Sequence, residues 1–142
     1  MSEALKFTNH NGQLHAARMH DARLISLRFD WNERVILKFQ RVDGTKAAVH
    51  FEEVREYYFG PLFQGPIILD TWLWRVSEVP KSDMVDVGWN ALFRGYLNPH
   101  DIPQEAKKII SRDPGQLLAV VGYLHGTSMA FVCKDLVIAN LQ

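Results

Sequence analysis

From Asp21 to Val76 apolar and polar side chains alternate in short runs, the period-two signature of β-strands. Ile25, Leu27, Phe29 and Trp31 share one parity, with Ser26, Arg28 and Asp30 on the other. Val35, Leu37 and Phe39 repeat the arrangement, opposed by Lys38 and Gln40. The short polar link Asn32-Glu33 predicts an antiparallel hairpin between these two runs. Asp43-Gly44 is a turn signal, because glycine tolerates positive φ and an aspartate bonds its local backbone. Ala47, Val49 and Phe51 then form a third apolar row, giving a meander with one wet face, which antiparallel sheets permit.

Phe51–Phe59 carries Glu52, Glu53 and Glu56 beside Val54, Tyr57 and Tyr58, and reads as a turn followed by a short strand. Gly60-Pro61 and Gly65-Pro66 bracket a loop. In Ile67–Val76 both parities are apolar, with Trp72 and Trp74 on one and Leu69 and Leu73 on the other. Two arrangements account for this: a strand covered on both faces, or a strand whose outer face meets another protein. In the second, Trp72, Trp74 and Arg75, with Tyr57 and Tyr58, are the candidate binding residues, since tryptophan, tyrosine and arginine dominate interfaces. In the first, the tryptophans fill a core.

Pro80–Asp83 breaks the pattern, and Met84–Trp89 reads as another short strand. Asp101 with Gln104 three positions on, and Pro103 between them, predicts a helix start capped by Asp101. Ile102, Ala106, Ile109 and Ile110 make its apolar stripe, and Asp113-Pro114-Gly115 ends it. Lys107, Lys108 and Arg112 fall late, where the helix dipole favours positive charge. Leu117–Tyr123 and Met129–Ile138 read as a closing hairpin turned at His125-Gly126-Thr127. The expected class is α+β: a curved, mainly antiparallel sheet, or a partly open barrel, with one late helix packed against it. Residues 1–19 form a poorly structured arm or an edge strand, and 20–142 a single β-rich domain. Ile25, Leu27, Phe29, Leu37, Phe39, Val49, Ile68 and Phe131 are the expected core.

Composition narrows the functional classes. The 142 residues are 47% hydrophobic and 23% charged, the balance of a globular domain with a sizeable core. Formal net charge is +0, evenly split along the chain, which gives no reason to expect a nucleic-acid surface. No apolar run is long enough for a membrane-spanning helix, and no export signal opens the chain, so a cytoplasmic location is expected. Cys133 is the only cysteine, so neither an intramolecular disulfide nor a cysteine-rich zinc site is available, and its apolar setting predicts a buried thiol. His10, His15 and His20 match no zinc spacing, and neither a phosphate loop nor a nucleophile elbow is present. No catalytic residue, metal site or cofactor is therefore assigned. His20-Asp21 is the nearest approach to an acid–base pair, alone or with His125; capping by Asp21 is the favoured reading.

His20-Asp21 with Leu24, the Val35–Phe39 strand, Gly44, Val49-His50-Phe51, Val54 and Ile67-Ile68-Leu69-Asp70 resemble the opening of small bacterial β-rich immunity-like and uncharacterised proteins. The late Leu117–Ile138 hairpin is similar to their closing section. The resemblance covers residues 20–138 in outline and implies tight binding of a toxin partner, without assigning contact residues. The expected function is a non-enzymatic protein-binding module. The alternatives are a small hydrolase-type enzyme using the His-Asp pair, and a structural domain that homodimerises through the Ile67–Val76 face.

Overall fold

Cross-strand pairing sorts the apolar rows into two sheets. The computed structural model describes residues 12–14, 18–31, 33–60, 67–80, 88–93, 97–123 and 128–141. Among them are strands β1 (Arg23–Asp30), β2 (Arg34–Gln40), β3 (Lys46–Glu52), β4 (Glu56–Phe59), β5 (Ile68–Arg75), β6 (Leu117–Tyr123), β7 (Ser128–Cys133) and β8 (Asp135–Leu141). Helices α1 (Trp89–Phe93) and α2 (Ile102–Arg112) lie between β5 and β6. The first sheet runs β1-β2-β3-β8 and the second β4-β7-β6-β5, with every neighbouring pair antiparallel. The α+β class and the antiparallel pairing are as the sequence predicts, but the strands form two open sheets in place of one.

In the first sheet Val35, Leu37 and Phe39 lie opposite Phe51, Val49 and Ala47, and all six are fully buried. They face Met129, Phe131, Cys133, Ala119, Val121 and Leu73 of the second sheet, so one apolar layer is sealed between the two. β1 meets β5 at one end, where the Ile68 amide donates to Ala22 O at 2.8 Å. At its other end the ring of Phe29 meets that of Tyr57 on β4, edge to face at 5.3 Å. Since β4 and β5 are opposite edges of the second sheet, β1 runs across that sheet, not along it.

Two of the expected core residues lie elsewhere. The β1–β2 register shifts between Leu24 and Ser26, so Ile25 is the extra residue of a bulge. Leu24 takes the inward place opposite Phe39, and Ile25 is 45% exposed. Phe29 does face inward, opposite Val35, but at the open edge of the sandwich, and is 45% exposed. Leu27 is partly buried against the core, while Leu37, Phe39, Val49, Ile68 and Phe131 are wholly within it.

The second sheet is the middle layer, which explains why its strands are apolar on both parities. Leu118, Val120, Ala130, Val132 and Trp74 point away from the first sheet and pack under Ala91, Leu92 and Phe93 of α1 and Ile102 and Ile109 of α2. The expected strand Met84–Trp89 is not formed at its end, because Trp89 opens α1; residues 84–87 lie outside the described residues. The α2 stripe is as predicted, with Ile102, Ala106 and Ile109 buried. Its start is not: Asp101 makes no side-chain cap, since a 3-10 turn over Pro99–Asp101 precedes the helix and Asn98 accepts from the His100 amide instead.

The expected closing strand Met129–Ile138 is divided at Lys134. Odd-numbered residues up to Cys133 face the core, and even-numbered ones from Leu136 do so, because the chain changes sheet between them. Lys134 N donates to Glu52 O at 2.9 Å and Arg55 N to Val132 O at 2.8 Å, so the β3–β4 and β7–β8 corners are bonded together. No helix among the described residues is long and apolar enough to cross a membrane.

Candidate functional site

Two places on this frame carry chemistry. The first is a cleft of about 320 Å³ lined by Gln13, Leu14, Arg18, Met19, His20, Asp70 and Thr71. Residues 12–14 run along the outer edge of β5, with Leu14 N bonded to Thr71 O and Leu73 N to Gly12 O, each at 2.8 Å. Met19 is inserted into the core and anchors the turn that follows. Arg18 and Asp21 on either side of it adopt left-handed φ of 51° and 63°, a cost that non-glycine residues bear only when the surroundings fix them. The turn holds His20 over the β5 bulge, where Leu69 is the unpaired extra residue.

There the His20 ring nitrogen Nδ1 bonds to Leu69 O. A carbonyl only accepts, so Nδ1 carries the hydrogen, and Nε2 of a neutral ring is left with its lone pair outward. Asp21 Oδ2 lies 3.6 Å from Nε2, and Asp70 Oδ1 lies 3.6 Å from Nδ1. His20 and Asp21 are therefore neighbours too far apart for a hydrogen bond, and Asp70 approaches the ring from a strand nearly fifty residues later. The Asp70 contribution was missed because spacing along the chain does not report which loop lies over a bulge. The hydroxyl of Thr71 in the same cleft is buried and donates to Met19 Sδ at 3.7 Å. Among the described residues no group of three or more His, Cys, Asp or Glu is placed to hold a metal. His125 lies outside the described residues.

Arg18 leaves the cleft to pair with Asp43 of the β2–β3 turn at 3.1 Å. The Asp43 carboxylate also accepts from the Thr45 hydroxyl at 2.6 Å and the Thr45 amide at 2.9 Å. These bonds, Thr45 foremost and then Arg18, hold its pKa at about 2. Burial, followed by the nearby Arg18 charge, lowers that of Arg41 behind the turn, against the opposing pull of Asp43.

The second place is the edge of the sandwich where β1 ends. Phe29 is 45%, Trp31 97% and Tyr57 51% exposed. Phe29 and Tyr57 touch, and Tyr57 continues into the core through Phe59 and then Phe131. The turn after β1 is held against the start of β4 by Val54 N to Glu33 O at 2.7 Å and by the Arg55–Glu33 ion pair at 2.8 Å.

The five residues singled out in the sequence do not share a surface. Tyr57 and Tyr58 lie on β4 and Trp72, Trp74 and Arg75 on β5, at opposite edges of a four-stranded sheet. Three strand spacings, roughly 14 Å, separate the two edges. Trp74 is only 7% exposed and Trp72 half-buried; their rings stack at 6.5 Å beneath the helices. The tryptophans thus fill the helix-side core, and the face suggested for homodimerisation is covered by α1 and α2. Arg75 pairs with Glu78 at 3.3 Å. Tyr58 is half-buried, and Tyr57 alone of the five belongs to an exposed aromatic group. Phe29 and Trp31, beside the β1–β2 turn, are the other exposed aromatics of that group.

Cys133 is fully buried between the sheets, and burial, then Asp135 and Glu52, pushes its thiol pKa up, so it is no nucleophile. Tyr123 is buried as well, its pKa raised by burial, and its hydroxyl has no hydrogen-bond partner among the described residues. No protein-family model, curated protein or solved structure matches the chain.

Proposed function

We propose that the chain is a non-enzymatic protein-binding module whose contact surface is the aromatic edge formed by Phe29, Trp31 and Tyr57. The observation that carries this reading is the exposure of three large aromatic side chains at one corner, where the Glu33–Arg55 pair and the Val54–Glu33 bond hold the backbone in place. Aromatics on a rigid support bury much area at low entropic cost, which is why they serve as anchors. The balanced charge of the chain makes apolar burial, with a rim of ion pairs, the main source of affinity. In the immunity-type form of this proposal the partner is a bacterial toxin met in the cytoplasm.

The test is capture of partners from the native host, followed by titration of the purified partner. Trp31→Ala and Tyr57→Ala should each weaken binding by roughly tenfold or more while leaving the unfolding curve near that of the parent. Unchanged affinity in both variants would reject the surface.

A second reading rests on His20. An imidazole on the rim of a cleft, with Nδ1 held by a backbone carbonyl and Nε2 beside Asp21, is placed to accept a proton from a bound molecule. Turnover of any substrate that disappears in His20→Ala and survives Trp31→Ala would favour an enzyme over the binding module.

A further inference from the structure

The fold sorts charges that the sequence scatters. Val35, Leu37 and Phe39 of β2 and Ala47, Val49 and Phe51 of β3 face the core, so the residues alternating with them form the outer face of the first sheet. On that face the acids Asp30, Glu52 and Asp135 share one end row, where Arg34 pairs with Glu52 at 3.0 Å. Beyond that row the charged side chains are Arg23 and Arg28 on β1, Lys38 on β2 and Lys46 on β3, with no acid among them.

Ile36 lies opposite Arg28 and Ala48 opposite Lys38, so Arg28, Lys38 and Lys46 follow a diagonal across three strands, each roughly 7–8 Å from the next at the backbone. Like charges side by side across strands destabilise a sheet. Among the described residues none of these three cations is in an ion pair that would offset the repulsion. Asp43, in the turn that follows β2, is held by Arg18 and Thr45 instead. Beside the cations, on β8, Val137 is 48% and Leu141 37% exposed, and half-buried Ile36 shares the row of Val137.

We infer that this face binds an acidic segment of another protein, with carboxylates on the Arg28–Lys38–Lys46 line and apolar side chains on Val137 and Leu141. Charge complementarity selects the acid, since opposite charge relieves the crowding of the three cations. The rest of the face selects a protein. It carries no aromatic side chain on which a base could stack. The row of Asp30, Glu52 and Asp135 repels a phosphate backbone that continues past the sheet. An apolar strip flanked by charge is the make-up of a protein interface. The formal charge of +0 conceals this face, because the compensating acids lie elsewhere on the molecule. The aromatic corner is a separate surface: Arg28 and Phe29 are successive residues of β1 and point to opposite sides of the sheet.

Fluorescence anisotropy of a labelled glutamate-rich peptide with interspersed leucines, titrated with the full chain, tests this. The peptide should bind with a Kd of about 100 μM or tighter. Its affinity should fall several-fold between about 50 and 300 mM salt. Lys38→Gln with Lys46→Gln should weaken binding by roughly tenfold or more, whereas Lys38→Arg with Lys46→Arg should retain it. Trp31→Ala should leave it unchanged, and circular dichroism confirms that each variant is folded. Absence of binding overturns the inference, as does binding that the glutamine variant leaves intact. Tighter binding of oligothymidine of the same length, or of vesicles containing phosphatidylserine, overturns it in favour of a nucleic acid or a membrane. A loss in Trp31→Ala equal to that in the glutamine variant also overturns it, by placing the peptide on the aromatic corner.

Discussion

Asp43 shows how much a single exposed side chain does at a turn. Its carboxylate closes the β2–β3 connection by accepting from both Thr45 donors, and it reaches across to Arg18 beside the cleft. Its pKa falls from the ordinary 3.8 to about 2 in the folded chain. A folded value below the unfolded one stabilises the protein fully above pH of about 4, and this contribution is lost as the pH falls from there toward 2. Asp43→Asn should therefore lower stability at neutral pH and flatten the acid limb between pH of about 4 and 2. Urea unfolding across that range measures both, and identical limbs in the two proteins would show that Asp43 contributes nothing. The turn itself was legible from Asp43-Gly44, with Gly44 at φ +88°. The partner Arg18 was not, because nothing in its spacing relates it to a hairpin 25 residues away.

At the scale of elements, β5 depends on the segment that lines its edge. Gly12 has φ +84°, and a β-carbon placed on it would overlap the indole of Trp74. Both the backbone angle and the space thus require glycine. Gly12→Ala should displace residues 12–14 from β5 or shift Trp74, at a cost of about 1–3 kcal/mol. Equilibrium unfolding, with tryptophan fluorescence as the probe, would register the loss and the changed indole environment together. A loss below about 0.5 kcal/mol would mean that the segment adds little to the fold. An arm or edge strand was the sequence expectation for residues 1–19; residues 12–14 make an isolated bridge to β5, and residues 1–11 and 15–17 lie outside the described residues. The closing strand is the instructive failure at this scale. Its core-facing parity changes between Cys133 and Leu136, which in a single strand would put Leu136 and Ile138 on the helix-covered side with Ala130 and Val132.

The whole molecule is three layers: the first sheet, the second sheet, and the helices. Cys133 is fully buried between the two sheets at the end of β7, so its reaction reports on whether they stay closed there. Labelling by a thiol reagent under native conditions should be slow and should accelerate with denaturant in step with global unfolding. Rapid labelling of the folded protein would place the thiol in a region that opens locally. What the sequence determined by itself is what depends on near neighbours in the chain: strand alternation, the Asp43-Gly44 turn, the α2 stripe, and a buried Cys133. These follow from side-chain periodicity and local backbone bonding, which need no distant contact. Only the tertiary structure decided which strands share a sheet, because the backbone bonds along the edge of β3 can be made with any strand in register. It alone turned Trp72 and Trp74 inward under the helices, left Phe29, Trp31 and Tyr57 open, and laid His20 between Asp21 and Asp70. An apolar strand carries no sign of which face will be covered. That depends on where other layers come to rest.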